Sequence, residues 1–141
     1  MRLFRIALPV PDLDRAVAFY EAVLGLEADH AAPGRPYFHA GGTILAVVDP
    51  AAHGREFCPN PDITYFAVED LDAVFERARA TGAGLYLEDR PDAPDNVISV
   101  QPWGERSFYC RDPFGNPLCF VDDGTLFTGT AASDTGDEET I

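Results

Sequence analysis

The feature that most constrains the fold of this chain is an internal repeat. The segment "FRIALPVPDLD" at 4–14 is matched by "DITYFAVEDLD" at 62–72, and both end in V-x-D-L-D, with Asp12 corresponding to Asp70. In each copy an apolar run that predicts a strand leads into an Asp, which favours the N-cap of a helix. Repetition of a strand-to-helix unit predicts one structural module built twice.

Apolar residues recur at helical spacing after both aspartates, and a glycine suited to a left-handed helix end follows each stripe. The first stripe is Leu13, Val17, Tyr20 and Leu24, ended by Gly25, and the second is Leu71, Val74, Phe75 and Ala78, followed by Gly82. Three strand-like pieces follow each helix. In the first half they are the residues around 27–31, "PYFHAG" and "TILAVVD", with a turn at 41–42. In the second half they are "GLYLED", "RSFYC" and "LCFVD". Each half is predicted as β-α-β-β-β, so the fold class is α+β.

These signals divide the chain into two modules of one domain. We assign residues 1–49 to the first module, 50–61 to a polar, proline-bearing linker, and 62–123 to the second module. Residues 90–102 are predicted to form a long loop across one face. Residues 124–141 form an acidic tail, predicted to be disordered from about residue 129 because it lacks apolar periodicity.

The charge balance excludes several classes of partner. The chain has 10 basic residues, all of them Arg, and 24 acidic residues, for a net charge of -14. Nucleic acids and anionic membranes need clustered basic residues, and this sequence has no such cluster. The acidity indicates either an ordinary solvated surface or adaptation to a high-salt cytoplasm.

No apolar run approaches the ~20 residues of a membrane span, and the first residues lack the features of a signal peptide, so we expect a cytoplasmic protein. The three cysteines, Cys58, Cys110 and Cys119, include no CxxC pair, which argues against a disulfide framework. Cys110 and Cys119 flank a tight turn at 112–116, "DPFGN", whose residues favour turn geometry. The two thiols lie nearly opposite each other, or one residue out of register.

Three segments together resemble the vicinal oxygen chelate superfamily, which includes glyoxalase I, bleomycin-resistance proteins, fosfomycin-resistance enzymes and extradiol dioxygenases. They are "VPDLDRAVAFYEAVLGLE", "VEDLDAVFERARATGA" and "PWGERSFYCRDPFGNPLCFVD". The resemblance covers residues 3–123. It implies two βαβββ modules that form a half-open mixed β-barrel around a concave pocket, and it implies a homodimer.

The resemblance also identifies the four positions at which metalloenzymes of the family carry ligands. In this sequence they hold Arg5, Ala46, Ile63 and Cys119. Arg stays protonated, Ala and Ile have no donor atom, and a lone thiolate does not make a metal site. We therefore expect no metal and no cofactor, which disfavours a metal-dependent lactoylglutathione lyase or dioxygenase.

Side chains alternate along a strand, so Ala7 shares a face with Arg5, and Tyr65 shares one with Ile63. Arg5 either holds an anionic or carbonyl-bearing ligand or pairs with a surface carboxylate. Trp103 either stacks on a planar ligand or anchors its loop. The candidates for catalysis are His39, as a general base, and Cys119, although each is also typical of a structural residue. The predicted pocket residues are Arg5, Ala7, His39, Ala46, Ile63, Tyr65, Trp103, Arg106 and Cys119.

From the residues and the resemblance we predict a metal-independent protein that binds a small aromatic or anionic molecule, as in sequestration or drug resistance. One alternative is a metal-independent lyase or isomerase. Another is a scaffold that keeps the fold without a ligand. A cavity with functional groups distinguishes the first two from the third, and turnover distinguishes the second from the first.

Overall fold

A computed structural model describes residues 1–86 and 97–129 of the chain. The first half contains β1 (Arg5–Pro9), α1 (Leu13–Leu24), β2 (Tyr37–Ala40) and β3 (Thr43–Val48), and a 3-10 helix follows at Pro50–His53. The second half contains β4 (Thr64–Val68), α2 (Leu71–Ala80), β5 (Gly84–Tyr86), β6 (Ser99–Val100), β7 (Arg106–Arg111) and β8 (Pro117–Asp122), with a 3-10 turn at Asp123–Thr125.

The strands form two sheets with a common plan. The first sheet has the order β1-β3-β2, and the second has the order β4-β8-β7-β5, with β6 also paired to β7. In both sheets the strand before the helix pairs in parallel with the last strand of its module, and the remaining pairs are antiparallel. The predicted α+β class is confirmed. Among the described residues, backbone ladders join strands within each sheet, and none joins one sheet to the other.

The helix boundaries follow the capping signals in the sequence. The carboxylate of Asp12 accepts a hydrogen bond from the Arg15 N–H at 3.0 Å, and that of Asp70 accepts one from the Ala73 N–H at 3.1 Å. At the end of α1, Gly25 adopts a left-handed conformation with φ of 69° and its N–H bonds to the Glu21 carbonyl. Both predicted N-caps and the predicted stop at Gly25 are confirmed. No helix among the residues described here is long and apolar enough to cross a membrane.

One hydrophobic core joins both halves, because α1 and α2 pack on each other and on one face of each sheet. Phe108 and Phe120 of the second sheet stack at 5.3 Å between ring centroids, and Phe75 of α2 meets Phe108 edge-on at 5.0 Å. Within residues 1–86 and 97–129, no α-helix packs on the opposite face of either sheet. We call these the first open face, which carries Arg5, Ala7, Tyr37, His39, Ile44 and Ala46, and the second open face, which carries Tyr65, Tyr109, Cys119 and Val121.

The turn at 112–116 holds the two halves together. Asp112 accepts hydrogen bonds from the backbone N–H groups of Phe114 and Asn116, both at 2.9 Å, and Gly115 has a positive φ of 95°. The amide of Asn116 donates to the Pro9 carbonyl at 2.8 Å and accepts from the backbone N–H of Asn60 at 2.8 Å. The predicted structural turn is confirmed, and it also ties β1 and the linker to the second sheet.

Three local predictions need correction or fall outside the described residues. The residues around 27–31 form a single bridge, Asp29 to Tyr37, instead of a strand. The Asp29 carboxylate accepts the Ala31 N–H at 2.9 Å, which turns the backbone out of a strand. Within the predicted loop at 90–102, residues 99–100 form β6. The rest of that loop up to residue 96, the end of "GLYLED" and the tail from residue 130 lie outside the described residues.

Candidate functional site

A cavity of about 740 Å³ lies on the first open face. Two small residues, Ala7 and Ala46, form its floor, because the strand register places them side by side. Tyr37 is the partner of Ala46 on the other side. Arg5 stands in the next row, opposite Ile44. The loop before β2 and the 3-10 helix after β3 complete the wall. We call this space the arginine cavity, defined by Arg5, Ala7, Arg35, Tyr37, Ala46 and His53.

Two arginines, Arg5 and Arg35, line the arginine cavity, and neither has a carboxylate partner among the described residues. The Arg5 guanidinium lies 4.9 Å from the centroid of the Phe4 ring, which leaves its N–H groups available for an anion. Neither Arg5 nor Arg35 makes an ion pair with any residue in the described part of the chain. The carboxylate of the cavity, Asp49, accepts the Ala51 N–H at 3.0 Å and so caps the 3-10 helix. The cavity therefore presents a cationic rim above an apolar floor.

His39 lies on the first open face, in the same row as Arg5 and beyond Ile44. Its Nε2 is 3.0 Å from a carboxylate oxygen of Asp29, and this hydrogen bond, followed by the bond from the Ala31 N–H, lowers the pKa of Asp29. The His39 side chain is 62% exposed and does not line the arginine cavity. Its neighbour Phe38 is fully buried in the core, so adjacent positions alternate as strand geometry requires. The sequence candidate for a general base thus has an orienting carboxylate.

The second open face carries a smaller hollow of about 420 Å³. We call it the aromatic hollow, and it is lined by Tyr65, Phe66, Ala67, Trp103, Glu105, Val121, Leu126 and Phe127. The indole N–H of Trp103 donates to one Glu105 oxygen at 2.9 Å, and the Phe127 N–H donates to the other at 3.0 Å. Glu105 therefore fixes both the loop that carries Trp103 and the chain segment that follows β8.

The two buried cysteines face opposite sides of the second sheet. Tyr109 pairs with Cys119, and Cys110 pairs with Leu118, so the thiols are one residue out of register. Cys110 faces the helices, where burial, followed by the charge of Asp112, raises its pKa to about 12. Cys119 is 1% exposed and packs with Tyr109, Val121 and Ile63. Of the two arrangements expected from the sequence, the structure has the one in which the thiols are one residue out of register, so they lie on opposite faces of the sheet.

The nine predicted pocket residues do not form one group. Arg5, Ala7 and Ala46 line the arginine cavity, and Tyr65 and Trp103 line the aromatic hollow. Ile63 and Cys119 pack together on the second open face and are not among the described lining residues of the aromatic hollow, and His39 lies beyond the arginine cavity on the first. The structure places Arg106 on the helical side, where it contacts Asp72 at 3.0 Å and Asp122 at 3.5 Å.

Sequence reasoning missed several lining residues of both spaces, namely Arg35, Tyr37, His53, Glu105 and Phe127. Tyr37 was within reach of the parity argument, because it alternates with the buried Phe38. The other four come from loops or from the segment after β8, and a loop has no periodicity that states which way a side chain points.

The fit of a metal centre depends on the donor atoms at the four positions to which the sequence resemblance assigned ligands. The four family positions hold Arg5 and Ala46 on the first sheet, Cys119 on the second, and Ile63 just before β4. None but the buried thiol offers a donor atom. Within 1–86 and 97–129, no group of three or more His, Cys, Asp or Glu side chains lies close enough to hold a metal ion. The described residues at these four positions do not fit a metal centre.

Known proteins match this chain over nearly its whole length. It is 30% identical over 146 residues to "Uncharacterized protein PA2024" of Pseudomonas aeruginosa, covering 92% of this chain and 94% of that protein. A lactoylglutathione lyase structure from Agrobacterium tumefaciens gives a TM-score of 0.63 at 28% identity, covering 86% of this chain and 92% of that one. A glyoxalase/bleomycin resistance protein from Albidiferax ferrireducens gives 0.67 at 20% identity, covering 84% and 95%, a likeness of fold alone.

Residues 2–120 match the family described as Glyoxalase/Bleomycin resistance protein/Dioxygenase superfamily. This range includes both helices and all strands of the first sheet, and it ends within β8. The match agrees with the motifs at the two N-caps and at the turn of residues 112–116. The resemblance expected from the sequence is confirmed, and the chain belongs to the glyoxalase/bleomycin resistance protein/dioxygenase superfamily.

Proposed function

We propose that this protein binds a small organic anion with an aromatic or apolar body in the arginine cavity, without a metal ion. The observation that carries the proposal is the pair Arg5 and Arg35, which lack carboxylate partners in the described residues although the chain has 24 acidic side chains. A guanidinium binds a carboxylate or phosphate through two parallel hydrogen bonds, which gives both affinity and orientation.

The rest of the cavity suits the body of such a ligand. Its volume of about 740 Å³ falls within the range of about 300–1,000 Å³ that is common for small-molecule sites. The methyl groups of Ala7 and Ala46 leave room above the sheet, and Tyr37 supplies an aromatic ring at the side. An apolar floor beneath a cationic rim favours a ligand with one flat apolar end and one anionic end.

Metal independence is part of the proposal, and it rests on the donor set. Arg5, Ala46 and Ile63 have no atom that could ligate a metal, so an oxygen-bearing ligand must be held by hydrogen bonds and charge. A binding role of the sequestration or resistance type requires no more than that. We also propose that this activity belongs in the cytoplasm.

We also propose a homodimer. Phe4 and Ile6 are 49% and 41% exposed, so the chain around the start of β1 presents apolar side chains to solvent. Exposed apolar groups that lie next to one another are often covered in an assembly. Sedimentation velocity across a hundredfold concentration range tests this point independently of ligand binding, and a monomer at all concentrations would contradict it.

A titration with 2-naphthoate, followed by calorimetry, tests the binding proposal. We expect saturable binding of this planar carboxylate and at least ~10-fold weaker binding of 2-naphthamide, its neutral isostere, because a charged hydrogen bond is worth about 1.5–3 kcal/mol. Arg5→Met and Arg35→Met should each weaken binding of the carboxylate by a similar factor. Arg79→Met on α2 removes the same charge outside the cavity and should have no effect.

Three results would contradict the proposal. The first is equal affinity for the amide and the carboxylate, and the second is unchanged affinity in both cavity variants. The third is a stoichiometric metal in the purified protein whose removal abolishes binding. Native mass spectrometry of the purified protein detects such a metal and any co-purified ligand in one measurement.

The Asp29–His39 pair favours one second candidate, a metal-independent lyase or isomerase. A carboxylate 3.0 Å from an imidazole orients the ring and supports proton transfer by its other nitrogen. Incubation of the protein with a metabolite extract, followed by mass spectrometry, tests this role. A compound consumed by the native protein and not by the His39→Gln variant supports catalysis, whereas no consumed compound supports binding alone.

A further inference from the structure

We propose that the aromatic hollow is a second binding site, which takes a small molecule with an apolar cationic group such as a quaternary ammonium or N-alkylpyridinium. The site is formed by Tyr65, Trp103, Phe127 and the carboxylate of Glu105. It lies on the second sheet, and among the described residues it shares no lining side chain with the arginine cavity on the first.

Three exposed aromatic side chains converge on this one hollow. Tyr65 is 59% exposed, and Trp103 and Phe127 are each 52% exposed. Large aromatic side chains usually bury most of their surface, so a cluster of exposed rings around a concavity is typical of a binding surface. The face of an aromatic ring carries a partial negative charge and attracts cations, most strongly when the ring is an indole.

Glu105 adds a full negative charge to the same hollow. It is half-buried, and it makes no ion pair with any residue in 1–86 or 97–129. Its two oxygens accept hydrogen bonds from the Trp103 indole and the Phe127 backbone, both of which are neutral donors. Neutral donors stabilise the carboxylate without cancelling its charge, so the hollow favours a positive ligand and disfavours an anion.

The lining of the hollow agrees with this sign of charge. The other lining residues in the described part of the chain are Phe66, Ala67, Val121 and Leu126, and no Arg or His is among the described lining residues. A cation with a strongly hydrated head would lose too much solvation in such a place. A cation whose charge is spread over methyl groups or an aromatic ring loses less, which is the reason to commit to an onium group.

The hollow is also held in its shape before any ligand arrives. Glu105 anchors Trp103 and the segment at 126–127, and the Thr125 hydroxyl accepts the Arg106 N–H at 3.0 Å. The segment after β8 is thereby tied to the start of β7. A site that is already ordered requires little further loss of conformational entropy on binding.

Trp103 is the single tryptophan of the chain, so its fluorescence reports directly on this hollow. The experiment is a titration with N-methylquinolinium, a planar cation, against quinoline at pH 8 as the neutral isostere and 2-naphthoate as the anion. We expect saturable quenching of Trp103 by the cation, with calorimetry confirming one site, and about tenfold weaker quenching of Trp103 by the two other probes. For 2-naphthoate only the Trp103 signal is compared, because calorimetry also detects its binding in the arginine cavity. Quenching that rises linearly with the cation concentration shows collision without binding and overturns the proposal, as does equal affinity for the neutral or anionic probe.

Variants separate the contributions of ring and charge. Phe127→Ala and Tyr65→Ala should each weaken binding of N-methylquinolinium several-fold, whereas Tyr65→Phe keeps the ring and should keep the affinity. Glu105→Gln should reduce the preference for the cation over quinoline. Glu76→Gln removes an equal charge on α2, where Glu76 is 69% exposed, and should leave that preference unchanged. If Glu105→Gln unfolds, the ring variants still decide the outcome.

Two further results bear on the site. If Trp103 quenching depends on protein concentration over the range in which the protein dimerises, the hollow is an interface between copies and the proposal fails. Arg5→Met and Arg35→Met should not affect N-methylquinolinium binding. The two proposed sites can therefore fail separately, since each has its own probe and its own variants.

Discussion

Residues of one type have different roles in this protein according to their partners. Arg106 contacts two carboxylates, Asp72 and Asp122, and serves to connect α2 with the second sheet. Arg5 and Arg35 line a cavity and have no ion pair among the described residues. A surface ion pair contributes little to stability, whereas a guanidinium without a partner in a cavity can bind a ligand. We therefore expect mutation of Arg106 to change the stability of the fold, and mutation of Arg5 or Arg35 to change ligand binding.

The three cysteines should differ sharply in reactivity. Cys58 is exposed, whereas Cys110 and Cys119 are buried. The thiolate is the reactive form of cysteine, and it forms most readily where the thiol is exposed to solvent. In the native protein at pH 7.5 we therefore expect one thiol to react rapidly with a maleimide. After unfolding in urea, all three should react. Cys58→Ser should abolish the fast reaction. A second thiol that reacts at a similar rate in the native protein would contradict this assignment.

The raised pKa of Cys110 also predicts the direction of a change in stability with pH. Burial, followed by the charge of Asp112, moves the pKa from 9.0 to about 12. The folded state holds this proton more tightly than the unfolded state, so the contribution is complete below pH 9 and is lost as the pH rises towards 12. In Cys110→Ala this part of the alkaline loss of stability should be absent.

At the scale of elements, the two helices use the same device at the start and different devices at the end. Asp12 and Asp70 both accept the N–H three residues ahead. Helix α1 ends at a left-handed Gly25, and the carbonyl of Val23 accepts a hydrogen bond from the Arg77 side chain of α2 at 3.2 Å. A side chain at position 25 would require a strained backbone and would meet Arg77. Gly25 therefore allows the left-handed backbone that ends α1, and it leaves room for the Arg77 side chain of α2.

Removal of either N-cap should destabilise the protein measurably. Asp12→Ala and Asp70→Ala each leave one helix N–H without its partner, and we expect a loss of about 1 kcal/mol in each case. Urea unfolding gives the value. Asp12→Asn and Asp70→Asn retain the capping oxygen and should cost less than the alanine variants. If the asparagine and alanine variants proved equally unstable, charge and not capping would be the source of the effect.

Strands were predicted less completely than helices for a physical reason. The strands with clear apolar alternation or apolar runs, such as β3 and β8, were found where expected. The predicted strand around 27–31 failed because the Asp29 side chain bonds to the backbone two residues ahead. A strand also needs a partner, and β6 exists because Ser99 and Val100 pair with β7. Pairing of this kind depends on distant residues and leaves little trace in a two-residue segment.

At the scale of the whole molecule, the two modules share one core and one buried polar network. Asn116 is fully buried and bonds to Pro9 of the first module and Asn60 of the linker. Tyr20 of α1 donates to Asp112 of the same turn at 2.7 Å, and burial raises the pKa of Tyr20 well above its usual value. The phenol therefore remains a donor at any physiological pH. Contacts of this range predict that the halves unfold together.

Asn116→Ala should lower stability by about 2–4 kcal/mol, because it leaves two partly buried backbone groups, the Pro9 carbonyl and the Asn60 N–H, without this partner. Tyr20→Phe is a milder test of the same network, with an expected loss of about 1.5–3 kcal/mol for a bond to a carboxylate. Trp103 fluorescence reports on the second module, and far-ultraviolet circular dichroism reports on both helices. In the native protein the two signals should change at the same urea concentration. Separate transitions would show that the modules are independent.

Features set by neighbouring residues could be read from the amino acids alone. The repeat, both N-caps, the glycine stop and the turn at 112–116 depend on interactions within a few positions, and the family resemblance rests on these same segments. The face on which Arg5 and Ala7 lie also followed from strand alternation. The identity of the residues at the four family ligand positions could likewise be read without coordinates.

The division of the pocket residues between two faces emerged only from the tertiary structure. Arg106 reaches Asp72 across 34 positions of sequence, and Asn116 reaches Pro9 across 107. Arg35 and Glu105 come from segments without periodicity, and their roles depend on which charges the fold brings near them. Local signals determine what each segment forms, whereas charge pairing and cavities arise between distant segments and depend on how the sheets and helices pack.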